Sequence, residues 1–570
     1  MPGGLLNLIS YGNQNVFLNG NPTKTFFKFV YMKYTNFGLQ KFRIDHEGLK
    51  TLRLSESSEF TFKVPRYAEL LMDTYLVMTL PDIYSPIYPP QSLDGTWQPY
   101  EFKWIEYLGA EMIEEVKISV GGFIIQKYSG NYIKHMFQRD MEDKRELFDE
   151  MIGNIPRLND PANYGSRKNK YPSTYYKEDN VPEPSIRSRQ LYVPLSTFFS
   201  FDSKMAFPLT CLQYSDMYIT IRIRPIKELF TINDITNSTN DKFSRIQPNF
   251  NLSQHAFFKF LQPPASISLD SNDYALQTTS WKSDIHILGT YCFLTEDEGS
   301  VFAKNEQKYL IKEIREHTYH DIVNSRKIKM ETNGMVANWM WFLRRNDAYL
   351  RNEWGNYTNY EYKDIVPSGL IFPYVYGEES TTNVDFEKAT VDIITKLASN
   401  SLTLQNILDI GPSKNPNNSY TGIYLTGAEN DANVEDILEK VSILFDGKYR
   451  ENEFDAKIYE YLEKFRTSTS KIEKGLYCYS FGMKTDPREI QPSGAINLDK
   501  FRNVEIEIKT ITPELDTDAE TLNICTDDGT LIGVNKNSWD IYKYTYDFII
   551  QEERYNIAHF TSGHMSLMYA

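Results

Sequence analysis

Cysteine is scarce in this sequence. The 570 residues include four, Cys211, Cys292, Cys478 and Cys525, which lie far apart and form no C-x-x-C pair. Zinc sites and dense disulfide frameworks need closely spaced cysteines, so this distribution argues against both. The remaining interpretation is that these residues are buried free thiols of a protein that works in a reducing compartment.

Long apolar runs are also missing. The most apolar stretch, residues 70–80, is shorter than a membrane span and contains Asp73. The first residues, Met1–Leu6, have neither the basic start nor the long apolar core of a secretory signal peptide. We therefore expect no transmembrane segment and no secretory leader, and synthesis in a cytosol-like compartment.

The sequence also lacks an excess of positive charge. Lys and Arg total 61 against 76 Asp and Glu, which gives a formal net charge of −15. An acidic surface repels the phosphate backbone, so we expect no direct nucleic-acid partner. A general need for solubility is sufficient to explain this charge.

Catalytic motifs are absent as well. The sequence contains no G-x-G-x-x-G, no P-loop and no G-x-S-x-G nucleophile elbow. His317 and His320, with Asp321, are the only arrangement that resembles a metal site, but a helical zinc motif also needs a Glu between the histidines. We interpret them as an ordinary exposed or strand-end pair. The sequence thus predicts no enzyme, no catalytic residue, no metal and no cofactor.

Aromatic residues are abundant, with 40 Tyr and 34 Phe, and they favour β structure. Apolar and polar residues alternate over 116–120 and again over 217–223, as in half-buried strands. Gly121 and Gly122 separate two such runs and predict a tight β-hairpin, because glycine accepts positive φ at both turn positions. A β-rich run over 26–31 predicts the first strand.

The chain divides into an arm, two β domains and the segment between them. Many short strands with turn signals are typical of a β-sandwich or jelly roll. The predicted parts are an arm over 1–25, a first domain over 26–225, a linker over 226–265 and a second domain over 266–570. Helices are predicted near 131–152, 301–315, 434–446 and 455–466, and long loops over 155–187 and 345–433.

Several segments resemble one known family, the major capsid proteins of nucleocytoplasmic large DNA viruses, and in particular its mimivirus-like branch. They occur in the expected order along nearly the whole chain. These segments are residues 3–12 (GGLLNLISYG), 18–28 (LNGNPTKTFFK), 34–37 (YTNF), 113–116 (IEEV) with Gly121-Gly122, 191–195 (LYVPL), 207–209, 212–214, 491–497 (QPSGAIN), 555–557 and 562–565.

The resemblance implies a mostly β fold, a double jelly roll. Two consecutive eight-stranded antiparallel β-sandwiches would have long loops and a few short helices. Three chains would form a pseudo-hexagonal capsomer, and capsomers would tile a large icosahedral virion shell. The implied partners are further copies of the chain, neighbouring capsomers and minor capsid proteins, close to an inner viral membrane, with synthesis and assembly in the host cytoplasm.

Two segments are candidates for assembly contacts. In the arm, Leu5, Leu6 and Ile9 are apolar side chains among Gly and Asn, and they would anchor in a groove, either of the protein's own body or of a neighbour. In the second domain, Gln491, Pro492, Ser493 and Gly494 predict a sharp turn, since Pro fixes φ and Gly accepts a positive φ. Both a contact with a neighbouring subunit and a corner within the chain fit this turn.

Alternative functions remain open at this point. A minor capsid or assembly-scaffold protein of the same fold is one. The other is a carbohydrate-binding jelly roll, in which aromatic side chains of the segment 351–376 would stack on sugars: Trp354, Tyr357, Tyr360, Tyr362, Tyr374 and Tyr376. Asn-x-Ser/Thr triplets provide candidate glycosylation sites at Asn237, Asn251, Asn356 and Asn417.

Overall fold

Segments with alternating apolar and polar residues become the strands of two β-sandwiches in the computed structural model. In β2, for example, buried and exposed residues alternate without exception from Ser58 to Lys63. The structure describes residues 2–48, 51–88, 98–176, 182–233, 245–264, 274–363, 374–376, 422–424, 434–468, 473–516, 522–525, 531–535 and 541–569.

The eight long strands of the first sandwich form two antiparallel sheets, with the orders β1-β8-β3-β6 and β2-β7-β4-β5, and a short fifth strand, Phe207–Pro208, joins the first sheet. Its strands are β1 (Phe37–Asp45), β2 (Ser58–Lys63), β3 (Leu70–Leu80), β4 (Ile113–Val120), β5 (Phe123–Tyr128), β6 (Arg189–Pro194), β7 (Met217–Ile223) and β8 (His286–Leu294).

The second sandwich repeats this topology, with the orders β9-β16-β11-β14 and β10-β15-β12-β13. Its strands are β9 (Gln307–Ile322), β10 (Ser325–Met330), β11 (Met335–Arg345), β12 (Leu438–Phe445), β13 (Lys448–Asp455), β14 (Leu476–Ser480), β15 (Val504–Thr510) and β16 (Tyr546–Thr561). Each domain is therefore an eight-stranded jelly roll, which confirms the predicted fold class.

The predicted Gly-Gly hairpin is confirmed. Gly121 and Gly122 have φ values of 58° and 89° between β4 and β5. The equivalent hairpin of the second sandwich, between β12 and β13, turns at Asp446 and Gly447 with φ values of 49° and 75°. The same local chemistry thus closes the same hairpin in both domains.

The strand pairing moves the predicted domain division. β8, which the prediction assigned to the second domain, lies hydrogen-bonded between β1 and β3 as the eighth strand of the first sandwich. Residues 226–265 are more than a linker, because Phe230–Asn233 forms a short strand and Phe257 and Phe260 are buried in the first core. The division consequently falls after Leu294. The prediction was wrong because composition does not reveal which domain a late strand completes.

Two of the four predicted helices are confirmed. Gly130–Asp140 and Arg145–Ile152 occupy the segment predicted over 131–152, while a π-helical turn, Ile458–Leu462, and the α-helix Glu463–Thr467 occupy 455–466. Near 301–315 the helix is Glu296–Lys304, and β9 follows it. The helix predicted over 434–446 is wrong, since this segment is β12, which is buried on both faces and so lacks strand alternation.

The predicted first strand over 26–31 is also wrong. Residues 22–36 form no helix or strand, and Phe26 and Phe27 are fully exposed. The arm therefore extends to residue 36, where it meets β1. It includes the short helices Gly4–Ile9 and Val16–Asn19 and the 3-10 turn Asn13–Asn15.

Smaller elements connect the sandwich strands. The short helices and 3-10 turns are Leu108–Glu111, Glu142–Lys144, Pro156–Asn159, Ser203–Met205, Leu209–Cys211, Ile226–Glu228, Ser253–His255, Phe257–Lys259, Ala348–Arg351 and Leu498–Lys500. The short strands are Ile87–Tyr88, Gln98–Pro99, Lys103–Trp104, Tyr175–Tyr176, Pro182–Glu183, Phe207–Pro208, Phe230–Asn233, Arg245–Ile246, Tyr374–Tyr376, Gly422–Tyr424, Ile496–Asn497, Leu522–Cys525, Leu531–Asn535 and His564–Leu567.

The two cores differ in extent. Trp339 and Trp341 are fully buried in the core of the second sandwich. The first core continues past its own domain and includes Met340, Leu476 and Cys478 on the outer face of sheet β9-β16-β11-β14. The two sandwiches are thus joined by a continuous apolar contact.

Candidate functional site: the interdomain contact and the assembly surfaces

The helix Gly130–Asp140 lies between the two sandwiches, and we call it the interdomain helix. It follows β5 and begins where the Ser129 side chain accepts a hydrogen bond from the Tyr132 backbone N–H. Gly130 is required at its start, because a Cβ there would lie 1.8 Å from the carbonyl oxygen of Ala110. Nearly all of its side chains are buried, including charged ones.

Two of these buried charges lie at its C-terminal end. Arg139 donates to the carboxylate of Asp140 at 2.7 Å and to that of Glu553, on β16, at 2.6 Å. Burial alone would raise the pKa of Glu553, but the Arg139 and Lys312 cations and a hydrogen bond from Asn338 hold it at about 2. Burial raises the pKa of Asp140, and Arg139 offsets this only in part.

A second set of buried polar groups crosses the domain boundary. Lys134 is paired with Glu111 and also donates to the Tyr357 hydroxyl at 2.7 Å. Burial, with Lys134 nearby, lowers the pKa of His135 well below its usual value, so its imidazole is neutral. Its Nε2 then accepts from the Tyr357 hydroxyl at 2.7 Å and its Nδ1–H donates to Gln551 at 2.9 Å. These groups specify a single orientation of the domains.

The loop over 348–363 adds to this contact from the second sandwich. Its Trp354 indole N–H donates to the carbonyl of Glu228, and the guanidinium of Arg224 lies 4.1 Å from the centre of the Trp354 ring. Asn352 donates to the carbonyls of Lys227 and Phe230. The loop therefore fastens the second domain to the first.

The burial of this loop contradicts the carbohydrate-binding alternative. Trp354, Tyr357, Tyr360 and Tyr362 are all buried, and their rings are not available to stack on a sugar. The side chains of Tyr374 and Tyr376 lie outside the described residues. The described aromatic side chains of this segment instead serve packing between the domains.

The predicted arm residues are exposed. Leu5, Leu6 and Ile9 lie on the helix Gly4–Ile9, and their side chains are 43%, 57% and 63% exposed. The other large apolar side chains of the arm are exposed as well, namely Leu8, Tyr11, Val16, Phe17, Leu18, Phe26, Phe27, Phe29, Val30, Tyr31, Met32 and Tyr34. An apolar segment of this length without cover within the chain is typical of a contact site for another molecule.

The turn of Gln491, Pro492, Ser493 and Gly494 packs against its own chain. The Ser493 hydroxyl donates to the carbonyl of Lys484 at 2.8 Å, and the Met483 N–H donates to the carbonyl of Ser493. Gly494 has a φ of 139°, and a Cβ there would lie 2.9 Å from the Cα of Gly482. Of the two predicted possibilities, these contacts favour the corner within the chain; Gln491 and Pro492 stay exposed.

Substituting Gly494 tests this assignment. The change Gly494→Ala combines a strained φ with a backbone clash, so we expect it to lower the free energy of unfolding by roughly 1–3 kcal/mol. Urea denaturation measures this loss. Because the corner is internal, the oligomeric mass of the folded variant should equal that of the parent. A change in oligomeric mass without loss of stability would instead assign the turn to a subunit contact.

The glycosylation candidates differ in accessibility. Asn251 is exposed. Asn356 is buried, its amide donates to the carbonyl of Tyr360 and its oxygen accepts from Thr358, so the prediction of a glycan there is wrong for the folded chain. Asn237 and Asn417 lie outside the described residues.

The histidine pair does not form a metal site. His317 and His320 are three residues apart on strand β9, where that spacing places side chains on opposite faces. His320 contacts Asp547 at 2.8 Å, while Asp321 accepts a hydrogen bond from Thr545. Within the described ranges, no three His, Cys, Asp or Glu side chains form a group that could hold a metal ion.

The cysteines agree with the sequence prediction where they are described. Cys211, Cys292 and Cys478 are buried free thiols, and the side chain of Cys525 is outside the described residues. None of the helices described in this chain is long and apolar enough to span a membrane.

Comparison with known proteins now gives the family. A model of the major capsid protein N-terminus matches residues 25–294, and a model of the large eukaryotic DNA virus major capsid protein matches residues 298–566. The chain belongs to the major capsid proteins of large eukaryotic DNA viruses. The boundary between the two matches coincides with the end of β8, as the strand pairing requires. As a capsid protein, the chain is part of the virion.

Individual relatives agree with this family. The major capsid protein of Phaeocystis pouchetii virus is 24% identical over 96% of this chain and 98% of its own length. Capsid protein 1 of Acanthamoeba polyphaga mimivirus is 26% identical over 60% of this chain and 48% of its own length. These findings confirm the family resemblance that the sequence motifs predicted.

Solved structures share the fold of this capsid protein. A quasi-atomic model of the PBCV-1 virus capsid matches with a TM-score of 0.56 at 17% identity, over 96% of this chain and 100% of that one. The Faustovirus major capsid protein matches with a TM-score of 0.56 at 12% identity, over 94% and 92% of the two chains. The likeness establishes the double jelly roll.

Sequence reasoning missed the interdomain contact. Arg139, His135 and Glu553 resemble ordinary surface residues when read singly. One signal was available: the run Gln551–Arg554 has four polar residues in succession inside a strand with apolar residues on both sides. Such a run is buried only if partners satisfy it. The interdomain helix provides partners for Gln551 and Glu553, whereas Glu552 and Arg554 bond to groups of the second sandwich.

Proposed function

We propose that this protein forms a homotrimer, a pseudo-hexagonal capsomer that tiles the icosahedral shell, and that its role is structural without catalysis. The observation that supports this proposal is the duplicated sandwich. Two domains of the same strand order, joined by an apolar contact, give six similar units in three chains, and six similar units suit a hexagonal outline. Membership of the capsid protein family supports the same conclusion.

Mass measurement in solution tests the trimer. We expect the purified chain to elute as a single species of about 200 kDa by light scattering, three times the 66.5 kDa of one chain. The species should persist on dilution and mild heating, because interfaces of obligate assemblies are large and apolar. A monomer at high protein concentration would contradict the proposal.

We further propose that the arm, residues 1–36, connects the capsomer to the rest of the shell, on the side of minor capsid proteins and an inner membrane. Support comes from the exposure of its apolar side chains, including Leu5, Leu6 and Ile9. Its charge also differs from that of the body: it contains Lys24, Lys28 and Lys33 and no acidic residue, in a chain of net charge −15. Synthesis and assembly would take place in the host cytoplasm.

A further inference from the structure

Both ring nitrogens of His135 form hydrogen bonds across the domain boundary. His135 lies on the interdomain helix of the first domain, while Gln551 lies on β16 and Tyr357 on the loop over 348–363, both in the second domain. The His135 ring is fully buried, and its centre is 4.8 Å from that of the Phe342 ring and 5.5 Å from that of the Tyr357 ring. Water therefore does not reach this ring while the two domains are in contact.

The bonding partners determine which ring nitrogen has the proton. The amide N–H of Gln551 donates to the carboxylate of Glu316 at 2.8 Å, so the amide oxygen faces His135. Nδ1 of His135 must therefore donate, and Nε2 of the neutral ring accepts from the Tyr357 hydroxyl. The Tyr357 oxygen also accepts from the Lys134 ammonium at 2.7 Å. Every donor around the ring thus has an acceptor, provided that the ring is neutral.

A second proton on the ring has no place in this arrangement. The Tyr357 oxygen would have to accept from Nε2–H and from Lys134 at the same time, and the hydroxyl proton would lose its acceptor. An imidazolium would also lie beside the buried ammonium of Lys134. Protonation of His135 therefore costs a hydrogen bond and brings two like charges together in a region closed to water.

The other charged groups around the ring do not offset this cost. Burial lowers the pKa of His135 most, Lys134 lowers it next, and the cations of Lys464 and Arg139 lower it further, while the hydrogen bond to Gln551 opposes them only in part. Arg344, on β11, donates to the carbonyl of Trp354. The carboxylates on the surrounding elements already have other donors: Glu111 has Lys134, Glu316 has Ser129 and Gln551, and Glu553 has Arg139 and Asn338.

We propose that His135 makes the contact between the two sandwiches sensitive to acid: uptake of one proton by its ring breaks the bonds to Tyr357 and Gln551 and releases the interdomain helix from the second sandwich. Such a contact holds at neutral pH and opens in an acidic compartment. All of these groups belong to one chain, so this sensitivity does not depend on the proposed trimer.

The direction of the pH effect follows from the two states of the ring. In the closed contact the pKa of His135 lies well below 6.5, whereas a ring released into water titrates near its ordinary value of 6.5. Below that pH the open state binds one proton more, and acid therefore favours opening. Burial raises the pKa of Glu316, whose protonation favours the closed contact, so the test compares proteins that all retain Glu316.

Labelling of Cys478 in the full-length protein measures the opening. This thiol is 3% exposed and lies on the face of β14 that the first sandwich covers. The reagent is 4,4′-dithiodipyridine, which reacts with thiols in mild acid, and each rate is divided by the rate of the urea-unfolded chain at the same pH. Between about pH 7.5 and about pH 5.5 we expect this ratio to rise about ten-fold in the parent. Mass spectrometry assigns the labelled thiol, and Cys292, which is buried in a separate cluster, should not follow.

His135→Gln is the decisive variant. Its amide can accept from Tyr357 and donate to Gln551 but takes up no proton, so the ratio at Cys478 should change less than about two-fold over the same range. His320→Gln is the matched control, because His320 is 65% exposed and its loss should leave the ten-fold rise unchanged. His135→Asn, whose amide does not titrate either, replaces the first variant if that variant does not fold.

Three results overturn the proposed acid sensitivity. The first is a parent in which labelling of Cys478 does not rise over this pH range. The second is an equal rise in the parent and in the His135 variant, which would assign the opening to another group. The third is an equal rise at Cys292 and Cys478, since acid would then unfold the whole chain and not open the contact between its domains.

Discussion

Replacing Arg139 by alanine is expected to lower the free energy of unfolding by roughly 3–5 kcal/mol, a large effect for one substitution. The guanidinium contacts Asp140 and Glu553 in a region closed to water, and each of the three side chains is about 1% exposed. Without Arg139, two carboxylates remain buried with fewer partners. The cost arises from these uncompensated charges, more than from the loss of an attractive pair.

Urea denaturation at fixed protein concentration measures this loss. Arg187→Ala is the matched control: Arg187 also pairs with a glutamate, Glu183, but its side chain is 64% exposed, so a change below about 1 kcal/mol is expected. The double variant Arg139→Met/Glu553→Gln removes both charges and should recover part of the stability. If Arg139→Ala lowered the free energy of unfolding as little as the control does, the interdomain contact would not depend on this charge network.

The loss of stability in Arg139→Ala should also depend on pH. In the parent, the pKa of Glu553 lies at about 2, below its ordinary value of 4.5, so its contribution to stability is present above pH 4.5 and disappears as pH falls toward 2. In Arg139→Ala the cost of burying the Glu553 carboxylate is no longer offset by Arg139, and the pKa of Glu553 rises. The variant then regains stability as Glu553 takes up a proton in acid, so parent and variant should converge below neutral pH. A difference in the free energy of unfolding between parent and variant that grows as pH falls would contradict this account.

Local chemistry made part of the fold predictable. The Gly121-Gly122 hairpin follows from the φ freedom of two residues, and alternation alone identifies β7. Segments whose state depends on distant partners were misread. β12 is buried on both faces by its neighbours, so it lacks alternation, and β8 joins the first sandwich through partners more than 200 residues away. Such pairings are tertiary choices that no local pattern specifies.

The candidate sites also divide into those that could be predicted from local sequence and those that could not. Exposure of Leu5, Leu6 and Ile9 could be predicted, because a short Gly- and Asn-rich segment has no core of its own. The sharp turn at Pro492 and Gly494 could be predicted from the sequence, but whether it contacts its own chain or a neighbouring subunit could not. The polar run Gln551–Arg554 marks Glu553 as unusual in the sequence, but its partner could not be predicted, since a buried Arg139 is recognisable only once Glu553 is seen beside it.

Deletion of residues 2–36 is the second change with a large expected effect, and this effect is on shell assembly. We expect the trimer to form as in the parent, with a midpoint of thermal unfolding within about 2 °C, because the arm buries none of its large apolar side chains on the body. Shell formation should fail, since the exposed apolar and basic segment is the proposed link to other shell components. Light scattering reports the trimer, and electron microscopy of virus particles rescued with the variant reports the shell.

A triple substitution separates the apolar anchors from the length of the arm. Leu5→Ser/Leu6→Ser/Ile9→Ser keeps every lysine and the full chain length, so a failure of shell assembly would assign the contact to these three side chains. Lys24→Gln/Lys28→Gln/Lys33→Gln is the complementary variant and removes the positive charge of the arm. If the deletion dissolved the trimer, the arm would belong to the capsomer interface and the proposed link to the shell would be wrong. Normal shells from the deletion variant would equally contradict that link, because apolar residues exposed at this density need a partner in the particle.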